Sequence, residues 1–294
     1  MTSGPQSTTL RLFGAGGAFS RRYGTTCSMI TLPSGLRWLI DCGRQAPDQI
    51  CAAGLRWHDI EGQIITHVHG DHVFGLEDFA FVRYYEGHRG LRSVREGGSR
   101  PKFIAHTAVQ AEVWETLGPA LRYLPGVQGN PAAGTLGHYF EIIDVHGYEP
   151  ARTNPWRHAE AFECGELRLT AREADHVPGK PATSLEIAVS SDAHDDRIAW
   201  WSGDSTVNVA RLVAIEPRTS ILFHDCTFVE YPGQVHGSFA LLESLPEPVR
   251  NKLVLMHHED DIERHRQRAE ARGFRLAMPG DVYDLATGQR VGGS

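Results

Sequence analysis

Apolar residues recur along this chain in short runs bounded by Gly, Pro, Asn and Asp, not in long helical stripes. Leu10 to Phe13, Thr25 to Thr31, Leu36 to Ile40, Gly62 to Ile65 and Phe103 to Ala105 have the length and the β-branched or aromatic content of buried strands. In the second half Ile142 to Val145, Leu167 to Thr170, Thr183 to Ile187, Ile198 to Trp201, Ser220 to Phe228 and Lys252 to Met256 read the same way. Leu76 to Tyr85 and Ala108 to Leu117 predict helices, the second stopping at Gly118-Pro119. Glu86 to Lys102 is polar and locally basic, and suits a solvated loop, a lid or a subunit contact. Pro125 to Gly137, rich in Gly and Pro, reads as an irregular excursion within a domain.

Composition narrows the class. With 294 residues, 41% hydrophobic and 22% charged, the chain can bury a sizeable core, and residues 1–294 are read as one α/β domain with 1–9 flexible. Its 29 Lys+Arg against 36 Asp+Glu leave a formal charge of −7, which argues against broad capture of nucleic acid. Five cysteines, an odd count without a Cys-x-x-Cys pair, argue against a disulfide framework or a structural zinc ribbon. The polar N-terminus lacks the basic and apolar regions of a leader, and no apolar run reaches membrane-spanning length, so a cytoplasmic, membrane-free protein is the expectation.

Chemistry concentrates at Thr66-His67-Val68-His69-Gly70-Asp71-His72, placed on the loop between the strand Gly62 to Ile65 and the helix that follows. Three imidazoles and a carboxylate within six positions form a donor set suited to zinc. Further candidates stand at strand ends: Asp41 before Cys42-Gly43, His176 before Val177-Pro178-Gly179, Asp204 beside Gly203, His224-Asp225, His236, and His257 with His258 as its alternative. A glycine beside Asp204 lets backbone approach closely, as a carboxylate bridging two cations requires. The turn Gly14-Ala15-Gly16-Gly17-Ala18-Phe19-Ser20 is followed by a strand, not the helix that a dinucleotide cradle needs, and reads as a tight bend with a substrate-facing alternative.

The His-x-His-x-Asp-His run resembles the signature of the metallo-β-lactamase superfamily, and the resemblance extends over nearly the whole chain. It implies a four-layer αββα sandwich of two mixed β-sheets flanked by helices, with metals at one edge. Gly203-Asp204-Ser205, His224-Asp225-Cys226-Thr227, His236-Gly237-Ser238 and His257 are similar to recurring pieces of the ribonuclease Z-like phosphodiesterase branch. Two positions depart from that pattern, Asp225 for Glu and Gly237 for Ser. The resemblance implies that His67, His69 and His176 hold one zinc, that Asp71, His72 and His257 hold a second, and that Asp204 bridges them, with manganese as the alternative metal. It further implies an outer brace from Asp41, His224 and Asp225.

Such a pair of ions supplies a water of near-neutral pKa and takes up phosphoryl charge. His236 is the candidate proton donor to the leaving alkoxide and Asp71 the acceptor of the water's proton. Ser184 and Phe19 are candidate substrate contacts. His176 and Asp204 stand only 28 positions apart, too few for the arm with which ribonucleases of this branch hold tRNA. Together with the N-terminal turn, which is similar to that of anti-Pycsar phosphodiesterases, this favours a small phosphodiester partner, expected to be a 3′,5′-cyclic nucleotide. A tRNA 3′ endonuclease and a lactonase or thioesterase are the alternative activities, and a homodimer is the assembly considered.

Overall fold

The computed structural model describes residues 7–124, 134–149, 159–190 and 195–293. Two eight-stranded sheets are built from β1 Thr9–Gly14, β2 Cys27–Thr31, β3 Arg37–Ile40, β4 Gly62–Ile65, β5 Lys102–Ala105, β6 Glu141–Ile142, β7 Gly147–Glu149, β8 Ala159–Cys164, β9 Leu167–Glu173, β10 Thr183–Ala188, β11 Ile198–Trp201, β12 Thr219–Asp225, β13 Leu253–Met256, β14 Arg275–Leu276, β15 Val282–Asp284 and β16 Arg290–Gly292. One sheet runs β16-β15-β1-β2-β3-β4-β5-β6 and the other β14-β13-β12-β11-β10-β9-β8-β7. The chain therefore finishes the first sheet's interior before starting the second, and returns to the first with its C-terminal hairpin.

Period-two patterning explains the layers. On β3, Trp38 and Ile40 face the space between the sheets, and Leu39 faces outward; β12 alternates in the same way, with Ile221 and Phe223 inward and Leu222 outward. Three apolar layers result. A central one joins the sheets through residues such as Trp38, Ile64, Trp201, Phe223 and Tyr283. A second packs α1 Ala46–Ala52, α3 Leu76–Tyr85, α4 Thr107–Leu121 and α5 Leu136–Tyr139 on the first sheet. The third packs α6 Val209–Ile215, α7 Phe239–Glu243, α8 Glu247–Arg250 and α9 Arg266–Ala271 on the second. Each fully buried large apolar side chain contributes about 1.5–3 kcal/mol. The αββα sandwich expected from the resemblance is the observed fold. No helix among the described residues is long and apolar enough to cross a membrane.

Local differences have physical causes. Asp71 and His72 lie not on a loop but on α2 Gly70–Val73, one helical turn that starts immediately after His69. The helix α4 passes through Pro119 to Leu121, because the proline falls in the last turn and removes only the donor to the carbonyl of exposed Glu115. The strand expected over Ser220 to Phe228 ends at Asp225, and the one over Ile142 to Val145 is the short β6. Within Glu86 to Lys102 a turn at Val94–Glu96 is capped by Ser93, whose hydroxyl accepts from the Glu96 amide. Residues 125–133 of the expected excursion, and residues 1–6 of the N-terminus, lie outside the described residues; Thr8 is buried and Thr9 opens β1.

Candidate metal centre

β3, β4 and β5 run parallel, as do β11, β12 and β13, so the carboxyl ends of six strands meet at one edge of the sandwich. Such edges are where open α/β sheets place ligands. Asp41 follows β3, His67 and His69 follow β4, His176 follows β9, Asp204 follows β11, Asp225 ends β12, and His257 follows β13. Two of these residues turn the chain out of its sheet in a left-handed backbone, Asp41 at φ 60° and His257 at φ 57°. That conformation is uncommon outside glycine, and here it sits where side chains must face the site.

Their donor atoms form three groups, each lying within 4.8 Å: His67, His69, His176 and Asp204; Asp71, His72, Asp204 and His257; Asp204, Asp225, His236 and His257. Asp204 belongs to all three. In the first group His69 Nδ1 is 3.0 Å from His67 Nε2 and 3.2 Å from His176 Nε2. In the second, Asp71 Oδ2 is 3.2 Å from His72 Nε2 and 3.3 Å from His257 Nε2, while the Asp204 oxygens are 3.3 Å from the same two nitrogens.

The spacing tests whether a metal suits these residues. Tetrahedral zinc with bonds of about 2.0–2.1 Å sets its nitrogen ligands about 3.3 Å apart, close to the observed imidazole separations. His72 Nε2 is buried and makes no hydrogen bond, although two carboxylate oxygens are near. The donors thus cluster at ligand-like separations, with one of them left without a hydrogen bond, so the residues suit metal ions.

Electrostatics divide the groups. Burial, reinforced by neighbouring imidazoles, holds His67 well below its ordinary pKa; burial and His176 push His69 down to about 4. Burial also lowers His176. Burial thus favours the neutral form in all three, the state a ligand imidazole needs. At His72 and His257 burial opposes protonation, but Asp204 together with Asp71 and Asp41, or with Asp225, outweighs it and raises both pKa values. Burial pulls the other way at Asp71, yet His72 and His257 keep its carboxyl well below the usual range.

Around these groups, Asp41 accepts from the Thr66 amide and hydroxyl at 2.8 Å each and faces His72 Nδ1 at 2.8 Å. His236 Nδ1 is 2.8 Å from Asp225 Oδ2. Burial opposes protonation of His236, and Asp225 outweighs it, raising the pKa. Asp225 also reaches His257 Nδ1 at 3.5 Å, so its carboxylate stands within a donor group and not solely behind one. His224 is buried, its Nδ1 at 2.7 Å from the Asp225 carbonyl, and lies outside the three groups. His258 is also apart from them, with Nε2 donating to the Ala277 carbonyl at 2.9 Å. Ser184 is buried and donates to the Ser202 carbonyl at 2.8 Å. Phe19 is 88% exposed on the Gly14–Ser20 turn, whose Gly17 is packed so closely that an added Cβ would stand 3.3 Å from the His257 ring.

Sequence reasoning passed over Lys180. It pairs with Glu112 of α4 at 3.0 Å and lines the clefts on both sides of the His69 and His176 pair. A cation four residues beyond His176 was the available signal. It took Gly43 as the close of its strand without the packing there or at Gly75, where a Cβ would come within 1.9 Å of the Asp71 carbonyl and 2.4 Å of the Gly43 carbonyl respectively.

A two-sheet αββα sandwich with a His/Asp metal-ligand constellation at its carboxyl edge defines a metal-dependent hydrolase of the metallo-β-lactamase fold. The family model described as Anti-Pycsar protein Apyc1 matches residues 8–282, and the chain belongs to that family. The protein of that name from Paenibacillus xerothermodurans is 28% identical over 258 residues, covering 86% of this chain and 89% of the relative. Its namesake from Paenibacillus harenae is 29% identical over 279 residues, covering 94% and 99%. Among solved structures, the metallo-beta-lactamase fold protein YhfI from Bacillus subtilis superposes with a TM-score of 0.66 at 14% identity, covering 94% of this chain and 99% of YhfI.

Proposed function

We propose that this chain is a dinuclear-zinc phosphodiesterase that hydrolyses 3′,5′-cyclic nucleotides to linear monophosphates. The observation that carries the reading is Asp204, a carboxylate shared by a three-histidine group and a second group of Asp71, His72 and His257. His67, His69 and His176 would hold one ion, Asp71, His72 and His257 the other, and Asp204 both. Bound there, a zinc pair supplies a water of near-neutral pKa and neutralises charge on the phosphoryl oxygens.

The chain's own groups manage the protons. Asp71 uses Oδ2 toward His72 and His257, which leaves Oδ1 to receive the proton of the attacking water. His236 is oriented through Nδ1 by Asp225, which keeps it protonated at higher pH than an ordinary imidazole and leaves Nε2 to donate to the departing ribose oxygen. Membership in a family named for its anti-Pycsar action supports a cyclic nucleotide as substrate. The net charge of −7 and the short interval from His176 to Asp204 support a small phosphodiester over a tRNA.

Zinc-loaded protein incubated separately with 3′,5′-cyclic mononucleotides, a precursor tRNA and a lactone tests the reading, with products separated by chromatography and metal counted by elemental analysis. Linear monophosphates and two ions per chain are expected. Maturation of the tRNA, or lactone opening, with cyclic nucleotides untouched would overturn it.

A further inference from the structure

Phe74 closes the α2 turn directly after the ligand run and is 55% exposed. A lone exposed phenyl is unremarkable by itself. This one is held against Gly70, between His69 and Asp71: a Cβ on Gly70 would stand 2.7 and 2.8 Å from two of its ring carbons. The absence of a side chain at 70 is therefore what allows the ring to lie on the metal loop. Its remaining surface lines a cleft of about 390 Å³, shared with His69, Gly70, Glu112, Glu115 and Lys180. Clefts of about 300–1,000 Å³ hold small ligands.

The lining states what the ligand must be. Its lining combines the Phe74 ring with the Lys180 ammonium, paired with Glu112 at 3.0 Å, and the Glu115 carboxylate. A planar group that is apolar on its faces and polar at its edges matches both kinds of lining. The neighbouring cleft of about 500 Å³ beside His176, with His106, Asp175 and Lys180 in its lining, offers no Phe, Tyr or Trp face. Building on the cyclic-nucleotide reading above, we propose that Phe74 is the stacking platform for the nucleobase, which places the base on the His69 side of the centre. Selection for base-bearing substrates then comes from this cleft, whereas the metal centre recognises only the phosphodiester.

The test compares a cyclic nucleotide with its base-free analogue, 1-O-methyl-ribose 3′,5′-cyclic phosphate, which keeps the same reacting bond. Removing an aromatic partner from a stacked base typically weakens binding about 5- to 150-fold. Phe74→Ala, checked for unchanged metal content, is expected to lose that factor in kcat/KM on the cyclic nucleotide, through KM, with kcat nearly unchanged. Its kcat/KM on the base-free analogue should equal that of the wild type. Phe74→Leu, which keeps bulk without a π-face, should behave like Phe74→Ala; Phe74→Tyr should restore wild-type values. Equal losses on both compounds, or no loss on either, overturn the proposal, as does a base-selective loss that appears in Phe19→Ala instead. A wild type that opens neither compound rejects the cyclic-nucleotide reading and the platform together, a result distinct from an active wild type without base-selective loss.

Discussion

Asp41 Oδ2 receives His72 Nδ1 at 2.8 Å while the same carboxylate binds the Thr66 amide and hydroxyl. One buried group thus fixes both the exit of β4 and the ring whose other nitrogen faces Asp71 and Asp204. Carboxylates that orient a ligand histidine are typically worth about 10- to 100-fold in metal affinity. Asp41→Asn places an amide where an acceptor is needed, and should weaken zinc binding by that factor with the fold retained. Competition against a chromophoric chelator measures it; unchanged affinity would sink the role.

Removal of metal should lower the melting temperature. A ligand at about 100 times its dissociation constant stabilises the folded state by about 2.7 kcal/mol, and a chain of this size shifts by about 2 °C per kcal/mol. Two ions should therefore be worth about 11 °C, read by calorimetry with and without chelator and restored by added zinc. An identical melting curve in chelator would remove the ions from the stability of the fold.

His236→Ala is expected to keep both metals and to turn over about 10²–10⁴-fold more slowly on a ribose-phosphate diester, whose alkoxide leaves only with a proton. The deficit should shrink on a nitrophenyl phosphodiester, whose phenolate leaves unaided. Equal deficits on the two substrates would take the acid role away from His236.

Gly43→Ala tests the close approach beneath the ligand turn. Its Cβ would fall 1.9 Å from the Asp71 carbonyl, which belongs to backbone and cannot swing aside. Overpacking of this kind costs about 1–3 kcal/mol or more, and the shift should also displace Asp71. A lower melting temperature and weaker metal binding are expected together; a stable variant with normal metal content would show that the loop yields freely.

The candidate ligands were legible because most follow the end of an apolar strand, and Asp71 and His72 stand in one short run with His67 and His69. The β8–β9 hairpin was read only in part: Leu167 to Thr170 is apolar enough to notice, but Ala159–Cys164 holds two glutamates three positions apart, one of them, Glu160, buried, so no period-two alternation marks it as a strand. The C-terminal strands β15 and β16 went unread because three-residue strands carry too little periodicity. Asp225 was legible as a residue but not in its placement, since sequence order cannot say whether a carboxylate stands within a donor group or behind it. Choosing His257 over His258 required the strand end at Met256, and the two rings do face opposite ways, His258 toward the Ala277 carbonyl.

His67, His69, Asp71 and His72 arrive on the first sheet, whereas His176, Asp204, Asp225 and His257 arrive on the second. During synthesis the first four leave the ribosome long before His257, which lies 185 positions beyond His72. The nascent chain therefore carries an incomplete, histidine-rich loop until β13 has been added, and only then does the shared position around Asp204 close. A ribosome that stalls short of His257 releases a product that lacks one of the clustered donors.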